Sequence, residues 1–127
     1  MVRRVRVLLD SHVLLWWLAD DDRLIRAHRD LITDVSNDVL VSAITTAEIA
    51  IKASLGKLDV PDDFEEVISA GGFERLPFTA EHASVLRRLP WHHRDPFDRM
   101  LVAQAVVEGI PLLSVDTRMR DYEVAVI

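Results

Sequence analysis

Cysteine is absent from the 127 residues, which excludes disulfides, thiolate metal sites and a cysteine nucleophile. A reducing compartment is thereby permitted, and a cytoplasmic location is expected. Positive charge is in short supply, with 15 Lys and Arg against 21 Asp and Glu and a formal net charge of −6. That balance argues against a broad grip on a nucleic-acid backbone, which depends on many Lys or Arg contacts to phosphate, but leaves room for a local basic rim. No segment reaches the roughly 18 uncharged residues a membrane span needs. Arg3, Arg4 and Arg6 ahead of an apolar run imitate a secretory leader, yet Asp10 and His12 interrupt the run and no small-residue cleavage site follows. There is no Pro/Gly/Ser-rich linker, low-complexity tract or internal repeat, so a single domain over residues 1–127 is expected. Its 50% hydrophobic content suffices for a core without disulfides or a structural metal.

The organising stretch is Val5 to Leu18. Val5–Leu9 is short, aliphatic and β-branched, and is closed by Asp10-Ser11, the chemistry of a helix N-cap. A carboxylate thus stands where strand becomes helix, the position outside strand carboxyl ends at which parallel α/β sheets bind ligands. Taken alone, Asp10 is first of all a cap. Asp20-Asp21-Asp22 reads as a solvated turn opening a helix near Arg23–Thr33, because consecutive side chains diverge and no EF-hand spacing follows. Val39–Ser42 is a second strand. Thr45-Thr46-Ala47-Glu48 then opens a helix running to Gly56, with Glu48 placed to complete a capping box on Thr45. Alone, Glu48 therefore has a structural role. A helix from Pro61 to Gly71, a strand over Phe73–Leu76 and a helix capped by Thr79 and ended by Pro90 follow.

Trp91 to Ala105 is the most informative segment. Asp95-Pro96 marks a helix start and puts Asp98 at the third helical position, where a carboxylate complements the dipole by a few tenths to about 1 kcal/mol. Gly109 closes this helix, and Ile110–Val115 forms a strand ending at Asp116, with a short last strand expected over Val124–Ile127. Strands alternating with helices, and too far apart for hairpins, indicate a three-layer α/β/α sandwich with a mainly parallel sheet. Right-handed crossovers place every strand carboxyl end on one edge.

Asp10 and Asp116 then fall at strand ends, and Glu48 and Asp98 in first turns of helices, so all four can face one cleft. Like charges gathered in a partly buried pocket raise one another's pKa and are costly unless cations neutralise them. Oxygen-only ligands without cysteine suit Mg²⁺ or Mn²⁺, which points to metal-dependent phosphoryl transfer. Arg94 and Arg99, beside the acids, are placed to hold a substrate phosphate.

Leu8-Leu9-Asp10-Ser11-His12, Val41-Ser42-Ala43 with Glu48-Ile49-Ala50-Ile51-Lys52 and Gly56-Lys57-Leu58, the run His93 to Ala105, and Leu112-Leu113-Ser114-Val115-Asp116 together resemble a PIN domain, specifically a VapC-like ribonuclease toxin of toxin–antitoxin pairs. The third of these is highly specific. The resemblance implies that Asp10, Glu48, Asp98 and Asp116 bind Mg²⁺ or Mn²⁺ and cut RNA, that the chain homodimerises, and that a small cognate VapB-like antitoxin inhibits it. Ser11 and Ser114, which keep a hydroxyl where the family often has threonine, join Arg94 and Arg99 as candidate RNA contacts. Ala47 replaces a common tryptophan. An RNA- or antitoxin-binding module that scarcely turns over is the alternative, distinguished by cleavage that survives loss of Asp10 or Asp98. A phosphate-accepting receiver domain is disfavoured by the lack of an acidic pair beside Asp10. His12, His92, His93, Lys52 and Lys57 have no assigned role; Trp16 and Trp17, about 100° apart on a helix, cannot both be fully core.

Overall fold

A computed structural model describes residues 4–122 and 124–127, so Arg3 lies outside the described residues. In chain order the elements are β1 (Arg6–Leu9), α1 (Ser11–Leu18), α2 (Arg26–Thr33), β2 (Asp38–Ser42), α3 (Ala43–Ser54), α4 (Phe64–Ala70), β3 (Glu74–Leu76), α5 (Ala80–Arg88), α6 (Pro96–Glu108) and β4 (Leu112–Leu113), followed by a 3-10 helix over Thr117–Asp121. The strands pair in the order β3-β2-β1-β4, all parallel, with Val7 opposite Val39 and Leu9 opposite Leu113. The expected last strand is reduced to one parallel bridge between Val126 and Leu112. Among the described residues no helix is long and apolar enough to cross a membrane.

Alternation along β1 divides the core. Val7 and Leu9 pack with Val13 and Leu14 of α1, Ile49 of α3 and Ile68 of α4 on one face. Leu8 packs on the other with Leu101, Val102 and Ala105 of α6 and with Met119 and Tyr122. Each face of the sheet is thus covered, which is what a parallel sheet requires. Trp16 and Trp17 are both half-buried against the first cluster, as their angular separation demands.

Three boundaries move from the sequence reading. α2 starts at Arg26 because Asp21 accepts from both the backbone and the side chain of Arg23, holding that residue in a turn. α3 starts at Ala43, capped by Ser42, whose hydroxyl accepts from the Ile44 amide at 2.9 Å. The capping box on Thr45 is therefore not made: Thr45 lies inside the first turn with its Oγ1 buried and unpartnered, and Glu48 is moved to the second turn. β4 is only two residues long, so Asp116 is not the last residue of a strand; it caps the 3-10 helix by accepting from the Arg118 amide at 3.0 Å.

Candidate active site

Parallel pairing puts the carboxyl ends of β1, β2 and β4 on one edge. Asp10 is both the cap of α1 and an extension of the ladder, its amide donating to the Leu113 carbonyl at 3.0 Å. Its carboxylate is buried and takes a 2.6 Å hydrogen bond from Ser114 Oγ. Burial alone would raise this carboxyl; the His12 side chain and the Ser114 hydroxyl outweigh it and hold the group below its ordinary value. Ser114 Oγ also accepts from the Asp116 amide at 3.0 Å, so one hydroxyl ties Asp10 to Asp116.

Glu48, buried on α3, is held at both oxygens, by Ser11 Oγ at 2.5 Å and by Lys52 Nζ at 2.8 Å. The spacing of Glu48 and Lys52, one helical turn apart, is a signal legible in the sequence. Lys52 edges the cleft and its pKa is raised by Glu48, a contact that outweighs its partial burial.

Asp98 stands in the first turn of α6, whose N-cap Asp95 accepts from the amides of Phe97 and Asp98. Its carboxyl is pushed up to about 7, by burial first and then by the charges of Asp95, Asp10, Glu48 and Asp116. The other three sequence-predicted acids, Asp10, Glu48 and Asp116, therefore stand near enough for their charges to act on Asp98. Asp116 behaves oppositely: the Arg118 guanidinium, forking onto its two oxygens at 3.1 and 2.9 Å, holds it down to about 2. The cluster is a set of carboxylate and hydroxyl oxygens whose like charges are only partly compensated by Lys52 and Arg118. Such a donor set fits a hard divalent cation.

The candidate RNA contacts divide. Arg94 is exposed. Ser11 and Ser114 are buried and their hydroxyls are committed to Glu48 and Asp10, so they hold the acids and do not face a ligand. Arg99 is corrected outright. It is buried, donates to the carbonyls of Leu86, Leu89 and Pro90 and to the Tyr122 hydroxyl, and lies 3.7 Å from the centre of the Trp91 ring. Its guanidinium closes the carboxyl end of α5 and is not available to phosphate. His12 is exposed and packs on Trp16, while His92 meets Tyr122 edge-on.

Sequence reasoning missed Arg118 and Tyr122 and left His93 without a role. His93 is buried, with Nε2 3.1 Å from Asp98 Oδ2 and 3.5 Å from Asp116 Oδ2. Although within reach of both, it is aligned on neither and forms no regular hydrogen bond there.

Fold and site together define a three-layer α/β/α domain with an acidic cluster at the carboxyl edge of a parallel sheet. The family model described as PIN domain matches residues 7–125. The chain belongs to the PIN domain family. It is 30% identical over 119 residues to Ribonuclease VapC22 of Mycobacterium tuberculosis (strain ATCC 25618 / H37Rv), covering 91% of each chain. Among solved structures it resembles VapBC2 from Rickettsia felis, bound to a promoter DNA fragment, with a TM-score of 0.70 at 13% identity, covering 97% of this chain and 98% of that one. It resembles DNA-bound VapBC from Salmonella typhimurium equally closely in fold, with a TM-score of 0.70 at 18% identity and 97% of each chain covered.

Proposed function

We propose that the protein is a divalent-metal-dependent endoribonuclease and the toxin of a toxin–antitoxin pair, acting in the cytoplasm and neutralised by a VapB-like antitoxin. The observation that carries this reading is Asp98, raised to about 7 first by burial and then by the charges of Asp95, Asp10, Glu48 and Asp116, an arrangement that is costly without a cation and useful with one. The similarity to a named ribonuclease supports the activity, and the likeness to VapBC complexes supports the partner.

Asp10, Asp98 and Asp116 would hold Mg²⁺ or Mn²⁺, with Glu48 completing the negative pocket. A bound ion of this kind supplies Lewis acidity toward a phosphodiester and lowers the pKa of water. The chain's own residues do the rest. Ser114 keeps Asp10 and Asp116 in register, Ser11 and Lys52 fix Glu48 as an acceptor for water, and Asp98, in the first turn of α6, would offer its carboxylate oxygens to the cation. Arg94, exposed and beside the helix that carries Asp98, is the chain's candidate for holding an RNA phosphate.

Cleavage of a total-RNA or tRNA pool by the purified chain, with and without Mg²⁺ or Mn²⁺, tests the reading against Asp98→Asn. Discrete products that require both metal and Asp98 are expected. Equal inertness of both proteins across many RNAs would move the reading to a non-catalytic binding module.

A further inference from the structure

We propose that His93 is a positioning residue that holds Asp98 and Asp116 through an Nε2–H proton and does not itself ligate the metal; the inference rests on the metal-site reading above. Two arrangements fit the bare distances. His93 Nε2, Asp98 and Asp116 lie close enough together to share one ion, and Nε2 is a buried nitrogen aimed between two carboxylates with no regular hydrogen bond. In the first arrangement Nε2 offers a lone pair to the ion. In the second it carries a proton and shares it between the two carboxylates.

The other ring nitrogen decides between them. The Asp95 amide points at His93 Nδ1 at 3.1 Å. A backbone N–H only donates, so Nδ1 must accept, and the proton of a neutral imidazole is left on Nε2. Metal ligation through Nε2 would force the proton onto Nδ1 and set two N–H groups against each other. Histidine ligands are normally held the other way, with the second ring nitrogen donating to a carbonyl or carboxylate. Here the second nitrogen faces a donor.

The surroundings make this tautomer rigid. Asp95 caps α6, accepting from Phe97 and Asp98, so the amide that fixes the ring belongs to the residue that starts the catalytic helix. The His93 amide donates to the Tyr122 hydroxyl at 3.0 Å, and Arg99 donates to the same hydroxyl at 3.2 Å. Arg99 also binds the Pro90 carbonyl at 2.7 Å and stacks against Trp91. The Pro90–Arg94 loop is therefore clamped at several points, and its one buried side chain is presented to Asp98 and Asp116, which come from two different elements.

Imidazole ¹⁵N NMR of the full, metal-free chain is expected to show a pyridine-type Nδ1 and a pyrrole-type Nε2 for His93, unchanged on saturation with Mg²⁺. A pyrrole-type Nδ1, or a switch to it on loading, would overturn the proposal. Mn²⁺ binding followed by EPR gives the second arm. His93→Ala should weaken binding at least about tenfold, whereas His93→Gln, which returns an N–H near the Nε2 position, should stay within a few-fold of the parent. Electron spin-echo spectra of the parent should lack histidine nitrogen coupling. Undiminished Mn²⁺ affinity in His93→Ala, or clear nitrogen coupling in the parent, would overturn the positioning role. Failure of the parent to bind Mn²⁺ saturably would overturn the metal-site reading and the proposal with it, and differs visibly from the other failures because those leave parent binding intact.

Discussion

Asp98→Asn should make the metal-free protein more stable while abolishing its metal binding, and the gain should depend on pH. The Asp98 carboxyl stands at about 7 in the folded chain against an ordinary 3.8. Below the ordinary value both folded and unfolded states are protonated and the native cluster carries no penalty from this group. As pH rises from about 4 to 7 the unfolded chain releases a proton that the native state retains, so stability falls through this window and levels off above it. The difference corresponds to about 4 kcal/mol at full expression. Solvent reaches 16% of the side chain and screens part of that, and losing a first-turn carboxylate costs about 0.3–1 kcal/mol of dipole interaction. A net gain of about 2 kcal/mol near pH 8 remains, equivalent to roughly 6–10 °C in Tm for a domain of this size. Urea unfolding in EDTA, read by tryptophan fluorescence at several pH values, measures it. A variant that is no more stable than the parent near pH 8, or an advantage that stays constant from pH 4 to 8, would refute the electrostatic account of the pocket.

Mg²⁺ or Mn²⁺ should stabilise the parent in proportion to the logarithm of concentration, by about 2.7 kcal/mol at a hundredfold excess over Kd, seen as a rise in Tm that Asp98→Asn lacks; a parallel rise in both would place the ion elsewhere. Ser114→Ala removes the 2.6 Å bond to buried Asp10 and the acceptor for the Asp116 amide, and should cost about 1–3 kcal/mol by urea unfolding, with an unchanged midpoint counting against the tie. Arg99→Met leaves the Leu86, Leu89 and Pro90 carbonyls without their donor, so a loss of at least about 3 kcal/mol is expected. A purely phosphate-binding arginine would leave stability unchanged and alter only the salt dependence of RNA binding.

What was readable in the sequence follows the range of the interactions involved. Asp10 was placed because an aliphatic run ending in Asp-Ser has one economical conformation, and Asp95 to Asp98 because Asp-Pro fixes a helix start within its own few residues. Glu48 was placed at the pocket only with the other acids in view, and its local reading failed. Two hydroxyls, Ser42 and Thr45, compete to open the same helix, and the competition is decided by where β2 releases the chain. Arg99 was misread for a similar reason. A cation beside Asp98 suggests phosphate, but the groups that claim it are carbonyls at the end of α5, ten or more residues earlier in two of three cases. His93 carries no periodic signal at all. Its role depends on a loop geometry in which the ring meets an amide on one side and carboxylates on the other.

The bond between Ser114 and Asp10 joins residues 104 positions apart. Synthesis proceeds from the amino terminus, and early elements begin to order before late ones exist. β1 can pair with β2 while the chain is still growing, but Asp10 gains its buried partner, and Asp116 joins it, only once β4 has docked on the far side of β1. A polypeptide that stops short of Ser114 holds three of the acids on a half-built edge and lacks the hydroxyl that fixes the first of them. For a nuclease encoded in the cell whose RNA it would cut, the order of assembly is itself a safeguard: the translating ribosome is not exposed to a finished site until the chain has been made through Ser114 and Asp116.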